Sequence, residues 1–427
     1  MATDARSPRP ESLRAVRPPA RAALVLLAVL AGTPGIAQTP TRDEPFPLLL
    51  DARRWGPFLV RPAFSIDNIG YDSNVYLVPP GEPARSDYVI RLGPEIDAQI
   101  RFGRRVALTL RDKLAGEVFV KTSSLNHADN DFSGQLDTIL GPVLLTGAAR
   151  WSTLRLRPNS AEDARSRRDD RRIRGAARLF LGPRTDFVLA AERQRIRYSD
   201  PDPGGELIAE RLDEDAATLE LEAGWRLSSG TRFFGSFKRR EHDFTIDREG
   251  RDSSERRIEL GVGLEPSRRI EGELRLGRVR FEPATGRFRP FRGGVGALSF
   301  TYRPTGRARI RGSLRRDVFF STFSGNLFFD SRSGSLSAET FLGRLFGVQA
   351  GVSRRDLQFP ETTPVPFENP ADTRRRDRIA NDYVGVLFYL GRETIFSVRY
   401  GRRVRDSNVI GFDDTQYYVA TSGSFTF

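Results

Sequence analysis

The chain has 427 residues, a mean hydropathy of −0.43 and no internal apolar run of about 20 residues, which excludes a helix that spans a membrane. Basic residues outnumber acidic ones by 68 to 55, for a net charge of +13, and the absence of cysteine excludes disulfides and thiolate metal sites. Low mean hydropathy does not exclude membrane-spanning strands, because the lumen-facing residues of a β-barrel dilute the lipid-facing ones.

Residues 1–37 have the pattern of an export signal. Three arginines precede an apolar run at 22–31, and the small residues at 35–37 suit a signal peptidase. The arginines are Arg14, Arg17 and Arg21. A single membrane anchor is the alternative, although the run is short for a span. Residues 38–57 contain several prolines without sustained alternation, which predicts a periplasmic lead-in.

From residue 58 onward, apolar and polar residues alternate with the period of two that a strand requires. The longest case is 88–102, and further cases are 217–227, 258–264 and 308–314. The apolar residues of the first are Tyr88, Ile90, Leu92, Pro94, Ile96, Ala98, Ile100 and Phe102. Strands of soluble β-sandwiches seldom alternate for so long, so the pattern favours strands that cross a bilayer.

Connectors between these stretches alternate between short turns and long polar segments. A soluble sandwich has no reason to sort its loops by length, whereas outer-membrane barrels have short periplasmic turns and long external loops. Residues 58–427 are therefore predicted to form an all-β, antiparallel, up-and-down transmembrane β-barrel of about 18 strands, with 16 as the other count. Hydrocarbon offers no partner to a strand edge, so the sheet must close, and at this size a lumen remains. The longest external loop, 359–376, is a candidate constriction.

The opposite face of the alternating strands carries the charged residues, which are predicted to line the lumen. They are Arg91, Glu95, Asp97, Arg101, Arg111, Glu220, Glu222, Arg226, Arg257, Glu259, Arg309, Arg311, Arg315 and Arg399. One interpretation is a permeation path with a positive bias, which favours anions or acidic sugar polymers. The other is that opposite charges pair across strands and stabilise a wet wall. The sequence leaves both open.

A short motif follows the first predicted strand: Tyr71, Asp72, Ser73 and Asn74 lie within Ile69–Tyr76, after Arg61–Ser65. This segment resembles the opening of the putative β-barrel porin 2 family, several members of which are associated with exopolysaccharide biosynthesis and export. The resemblance implies a passive conduit or a polysaccharide-linked outer-membrane component, and it brings no catalytic residues. Turn chemistry alone could also explain the Asp, Ser and Asn, whose side chains bond to the local backbone.

The C-terminal strand has one apolar face that includes Tyr417, Phe425 and the terminal Phe427. It resembles the last strand of bacterial outer-membrane barrels, which the insertion machinery reads as a signal. The predicted location is therefore the outer membrane of a Gram-negative type of envelope, with outer-membrane lipid, lipopolysaccharide and the insertion machinery as partners and a polysaccharide as a further candidate.

Enzyme chemistry has little support in the sequence. The two histidines, His127 and His242, lie near acids and are predicted to be solvated, His127 in an external loop. Asp129, Asn130 and Asp131 could offer oxygen ligands to a cation, but the run is short. No metal, cofactor or catalytic group is predicted, and nucleic acid is not expected because no basic helix or aromatic platform is present.

The predicted function is a porin-like outer-membrane channel for small polar or anionic solutes, with a link to exopolysaccharide export. A closed structural or adhesive barrel, whose long loops bind surface polysaccharide, is the alternative, and a barrel enzyme is the third class. Sequence alone does not separate a pore from an adhesive barrel.

Overall fold

A computed structural model of the chain describes residues 46, 49, 52–156, 165–199, 208–246, 250–264, 269–321, 325–362, 373–389 and 394–426. The predicted export signal at 1–37, most of the lead-in and Phe427 lie outside these residues. Within them, nearly all of the backbone is β-strand. The exceptions are a five-residue helix, α1 (Ile208–Leu212), and one 3-10 turn at Ser123–Leu125.

The described residues contain nineteen strands, and period-two alternation is the main reason why the long ones form. Their bounds are β1 (Arg53–Trp55), β2 (Phe58–Asp72), β3 (Asp87–Phe102), β4 (Val106–Phe119), β5 (His127–Leu140), β6 (Val143–Leu156), β7 (Ser166–Leu181), β8 (Thr185–Tyr198), β9 (Glu214–Ser228), β10 (Thr231–Phe244), β11 (Ser253–Leu264), β12 (Ile270–Pro283), β13 (Phe291–Thr305), β14 (Ala308–Phe320), β15 (Phe328–Phe341), β16 (Phe346–Thr362), β17 (Arg374–Tyr389), β18 (Ile395–Ser407) and β19 (Asp414–Thr426).

Strands β2 to β19 form one closed antiparallel barrel of eighteen strands. Each strand pairs with the next along the chain, and β19 pairs back with β2, for example Phe425 with Phe64. The three-residue β1 adds a hairpin to the start of β2. The predicted architecture and strand count are confirmed. Among the described residues, no helix is both long enough and apolar enough to cross a membrane.

Short turns and long connectors lie at opposite ends of the barrel, but several predicted loops are shorter than expected. The external loop in which His127 was predicted to lie ends at Asn126, because His127 begins β5. The predicted loop 359–376 is also too long at both ends, since β16 continues to Thr362 and β17 begins at Arg374. Residues 363–372 lie outside the described part. Polar residues extend these strands because neighbouring strands satisfy their backbone groups, whatever the hydropathy.

The barrel has an apolar outer wall and a polar inner wall. Large apolar side chains are exposed on the outside, as Leu260 (70%) and Leu314 (61%) show. There is no central hydrophobic core among the described residues. Instead, small apolar clusters lie near the long-loop end, such as that of Val75, Val89 and Phe119.

Candidate permeation path

The inner wall over β3–β5 is an ion-pair network. Arg91 of β3 lies 2.6 Å from a carboxylate oxygen of Glu117 and 2.6 Å from one of Asp129, on β4 and β5. On the same wall, Asp97 pairs with both Arg61 and Arg111. Because each cation here faces carboxylates, this part of the wall is close to neutral and its pairs join neighbouring strands.

The network continues over β7–β12 with charged side chains that reach beyond the adjacent strand. Arg232 of β10 lies 2.9 Å from Asp186 of β8 and 2.8 Å from Glu222 of β9. Arg174 of β7 lies 3.1 Å from Glu220 of β9, across β8. Arg232 and its two partners are largely buried, so loss of one partner would leave an uncompensated buried charge.

The inner wall over β14–β18 has a different balance, with arginines in excess of carboxylates. The arginines on this face are Arg309, Arg311, Arg315, Arg355, Arg375, Arg399, Arg403 and Arg405, and the acids within the same strands are Asp317, Glu339 and Asp377, with Glu361 near the rim. Arg309 and Arg311 share Glu339, at 3.1 and 3.2 Å. The positive charges of Arg403 and Arg315 both repel the guanidinium of Arg355. This wall therefore carries a net positive charge.

Hydroxyl groups lie between these arginines. Ser313 and Ser335 face each other on β14 and β15, with their Oγ atoms 2.7 Å apart. The Tyr383 ring lies against Gly351 of β16, and the Arg399 guanidinium sits 5.3 Å from the centre of that ring. Such a surface offers cations and hydroxyl donors to a polar solute without a buried apolar pocket.

All fourteen residues predicted to line the lumen lie on the inner faces of their strands, opposite the exposed apolar side chains. The structure brings Arg111 to Asp97 and Arg257 to Glu259, at 3.5 Å for the latter pair. Most of the others pair with residues that the sequence did not single out, chiefly Arg232, Asp317 and Glu339. Arg355 is an inner-wall residue that the sequence prediction did not include. Val348 and Val352 of the same strand are exposed on the outer face, so alternation places the odd-numbered residues of β16 inside.

The Tyr71–Asn74 motif joins the two ends of the barrel sheet. Asp72 accepts hydrogen bonds from the backbone N–H of Asn74 (2.8 Å) and from Nε2 of Gln416 on β19 (3.0 Å). Ser73 Oγ accepts one from the Tyr417 N–H at 3.1 Å. The motif therefore forms a local turn, as its chemistry suggested, and also bonds the first strand of the barrel to the last.

Both histidines are held in strands on the inner wall, so the prediction that they are solvated is wrong. His127 begins β5 with its Nδ1 2.8 Å from the Leu125 carbonyl oxygen, and its side chain is 8% exposed. The His242 side chain is 4% exposed, and its Nδ1 lies 2.9 Å from Glu214 Oε1. The rings of Phe281 and Phe320 lie against His242, a contact between distant strands that local sequence cannot show.

The Asp129–Asp131 run is also strand rather than loop. Asp129 pairs with Arg91, and Asp131 lies 2.6 Å from Arg150, while Asn130 points to the other face and donates to Asp112. In the part of the chain that the structure describes, no group of histidines and carboxylates is placed to hold a metal ion.

At the C-terminus, Tyr417 and Phe425 lie on the outer face of β19. The Phe425 ring packs edge-on against Phe396 of β18, with centroids 5.1 Å apart. Tyr417 is 37% exposed beside Arg402.

A closed barrel with an apolar exterior and a charged interior defines a transmembrane β-barrel protein of the outer-membrane class. Residues 52–422 match the family described as putative beta-barrel porin 2, and the chain belongs to this family. It is therefore an outer-membrane porin-type barrel. No curated protein matches the chain.

Several solved outer-membrane proteins are similar to this structure at low sequence identity. OpdK from Pseudomonas aeruginosa superposes with a TM-score of 0.50 and 10% identity, covering 86% of this chain and 99% of that one. OccK2 (OpdF) of the same organism, solved in complex with glucuronate, has a TM-score of 0.49 and 11% identity over 86% and 98%. Acinetobacter baumannii OccAB4 has a TM-score of 0.49 and 8% identity over 86% and 98%. At 10% identity, the similarity to OpdK supports the fold alone.

Proposed function

We propose that the barrel is a passive channel whose solutes are small anions, selected by the arginine-rich inner wall of β14–β18. The single observation that carries this proposal is the charge asymmetry of the lumen. The ion pairs of β3–β12 largely cancel, whereas on β14–β18 the arginines exceed the carboxylates. A lumen with a net positive wall raises the local concentration of anions and excludes cations.

The size of the barrel supports passage of solute. Eighteen strands enclose more space than their inward side chains can fill, so water remains in the lumen. The apolar clusters at the mouth, such as that of Phe281, Phe288 and Phe328, narrow the entrance. We infer that the mouth restricts solute size while the arginines select charge.

The experiment compares reversal potentials in a salt gradient across planar bilayers for two matched double variants. Arg315→Gln/Arg355→Gln removes two inner cations from β14 and β16, and Arg316→Gln/Arg354→Gln removes the adjacent outer cations from the same strands. We expect the inner variant to lower the anion-to-cation permeability ratio about threefold or more, and the outer variant to leave it unchanged. Equal effects of both variants, or a barrel that never opens, would contradict the channel proposal.

We also propose that the barrel has no catalytic activity. This rests on the positions of its histidines, because His242 is enclosed by Glu214 and the Phe320 ring, and His127 is held by the Leu125 carbonyl group. A hydrolysis assay with lipid and peptide substrates tests it, and turnover abolished by His242→Gln would contradict it. The exopolysaccharide link implied by the family resemblance stays a prediction.

We further propose that residues 1–37 are removed on export and that the C-terminal segment with Tyr417, Phe425 and Phe427 is read by the insertion machinery. The outward Tyr417 and Phe425 of β19 support the second role. Deletion of Phe427 should reduce assembled barrel in cells while leaving refolding in detergent intact; normal assembly of the truncated chain would count against this role.

A further inference from the structure

Four arginines form a row across the outer face of β10–β13. Arg239 of β10 lies directly opposite Arg256 of β11, which lies opposite Arg280 of β12, which in turn lies opposite Arg292 of β13. Arg278 lies two residues from Arg280 on the same face. We call these five residues the outer arginine row. Like charges directly opposite each other on adjacent strands are destabilising, so the row needs an explanation.

Neighbouring acids neutralise only part of the row. Glu241 lies 2.7 Å from Arg239, and Glu282 pairs with Arg280 and lies 3.4 Å from Arg292. Among the described residues, Arg256 and Arg278 form no ion pair, and both side chains are exposed. The two carboxylates pair with three of the five arginines, so the row keeps a net positive charge and the guanidinium groups of Arg256 and Arg278 are available to bind an anion.

The position of the row identifies the surroundings of that anion. Toward the short-turn end, the outward side chains next to the row are apolar, as Phe237, Ile258 and Leu276 show. Toward the long-loop end, the connectors begin within a few residues. The long loops of an outer-membrane barrel are external. The row therefore lies at the outer edge of the apolar band, where lipid headgroups meet the hydrocarbon.

We propose that the outer arginine row binds the phosphate groups of the lipopolysaccharide headgroup in the outer leaflet. A phosphate that bridges two arginines replaces their mutual repulsion with charge-assisted hydrogen bonds. Arginine suits this ligand because its planar fork binds phosphate through two N–H groups. The three lysines of the whole chain, Lys113, Lys121 and Lys238, are not part of the row, and Lys238, next to Arg239, faces the inner wall beside Glu220.

The opposite side of the barrel provides an internal contrast. At the long-loop end of β2–β4 the outward side chains are apolar, including Ile69 (43% exposed), Tyr88 (53%) and Val118 (46%). The outer rim of β2–β4 therefore lacks such a row, although single pairs of opposed outward arginines also occur elsewhere, as Arg171 with Arg195 and Arg316 with Arg332 show.

The test uses the full barrel, purified in detergent, with native mass spectrometry as the measurement. The protein is titrated with bisphosphorylated hexa-acyl lipid A and with the same lipid after removal of both phosphates, in the presence of EDTA. We expect the phosphorylated lipid to bind more tightly and Arg256→Gln/Arg280→Gln to weaken its binding about tenfold or more. The inner-wall variant Arg315→Gln/Arg355→Gln, which removes the same charge, should bind as the unaltered barrel does.

Several outcomes would overturn the proposal. These are equal affinity for the two lipids, an equal loss in the inner-wall variant, or binding that EDTA abolishes, which would indicate a metal-bridged contact through the acids. Misfolding does not confound the result, because replacement of the two arginines relieves repulsion, and a heat-dependent gel shift verifies that the barrel is closed. Conductance should be unchanged in Arg256→Gln/Arg280→Gln, so failure here is separable from failure of the channel proposal.

Discussion

Arg257 of β11 donates a hydrogen bond from Nη2 to Oδ1 of Asp317 on β14, at 2.7 Å, and so reaches across the inner faces of two intervening strands. Those strands carry the buried Val279 and Val295 at this level, whose small side chains leave room for the long arginine. The side chains of Arg257 and Asp317 are 15% and 7% exposed, and Arg315 also bonds Asp317. One carboxylate thus compensates two arginines of the wall.

Loss of that carboxylate should therefore be costly. Asp317→Asn leaves Arg257 and Arg315 without their shared counter-charge in a largely buried site, and we expect the free energy of unfolding to fall by about 3 kcal/mol. Urea unfolding in lipid vesicles, followed by tryptophan fluorescence, measures the change. Asp330→Asn is the control, because its partner Arg316 is 41% exposed on the outer face and the loss should stay below about 1 kcal/mol. Similar losses in both variants would contradict the structural role of Asp317.

The closure of the barrel should depend on Asp72. Its carboxylate is fully buried and bonds both Asn74 and Gln416, which lies 344 residues away along the chain. Asp72→Ala leaves these donors unpaired, so we expect a loss of about 2 kcal/mol and a barrel that opens at lower temperature on a gel. Ser73→Ala removes one exposed hydrogen bond to Tyr417 and should cost less than about 1 kcal/mol. Equal melting of the two variants would show that Asp72 is only a turn residue.

Gly351 should be intolerant of any side chain. A Cβ atom at this position would overlap the ring of Tyr383 on the neighbouring strand, so the ring must move. We expect Gly351→Ala to lower the free energy of unfolding by about 2 kcal/mol and also to disturb anion selectivity, because the Arg399 guanidinium lies over the same ring. Gly147→Ala, where nothing lies within 4 Å of the added atom, is the matched control. Unchanged stability and selectivity in Gly351→Ala would refute this packing.

The sequence by itself determined the class of fold and, within the clearly alternating stretches, the face on which the side chains lie. Both follow from a period of two, since lipid outside and water inside select opposite residues at alternate positions. That is why residues as distant as Arg91 and Arg399 were placed inside without a structure. The strand count followed from connector lengths, which sort by barrel end.

Only the tertiary structure decided where strands end and which charges meet. His127 and Thr362 lie in polar stretches, yet they are strand because an adjacent strand completes their hydrogen bonds. Arg257 and Asp317 are 60 residues apart, and their contact depends on the width of two strands between them. The outer arginine row exists because strand register aligns residues from four strands. None of these strands shows the row by itself. Alternation determines the face of the sheet on which a side chain lies. Its partner across the sheet depends on strand register and closure, which are properties of the whole barrel.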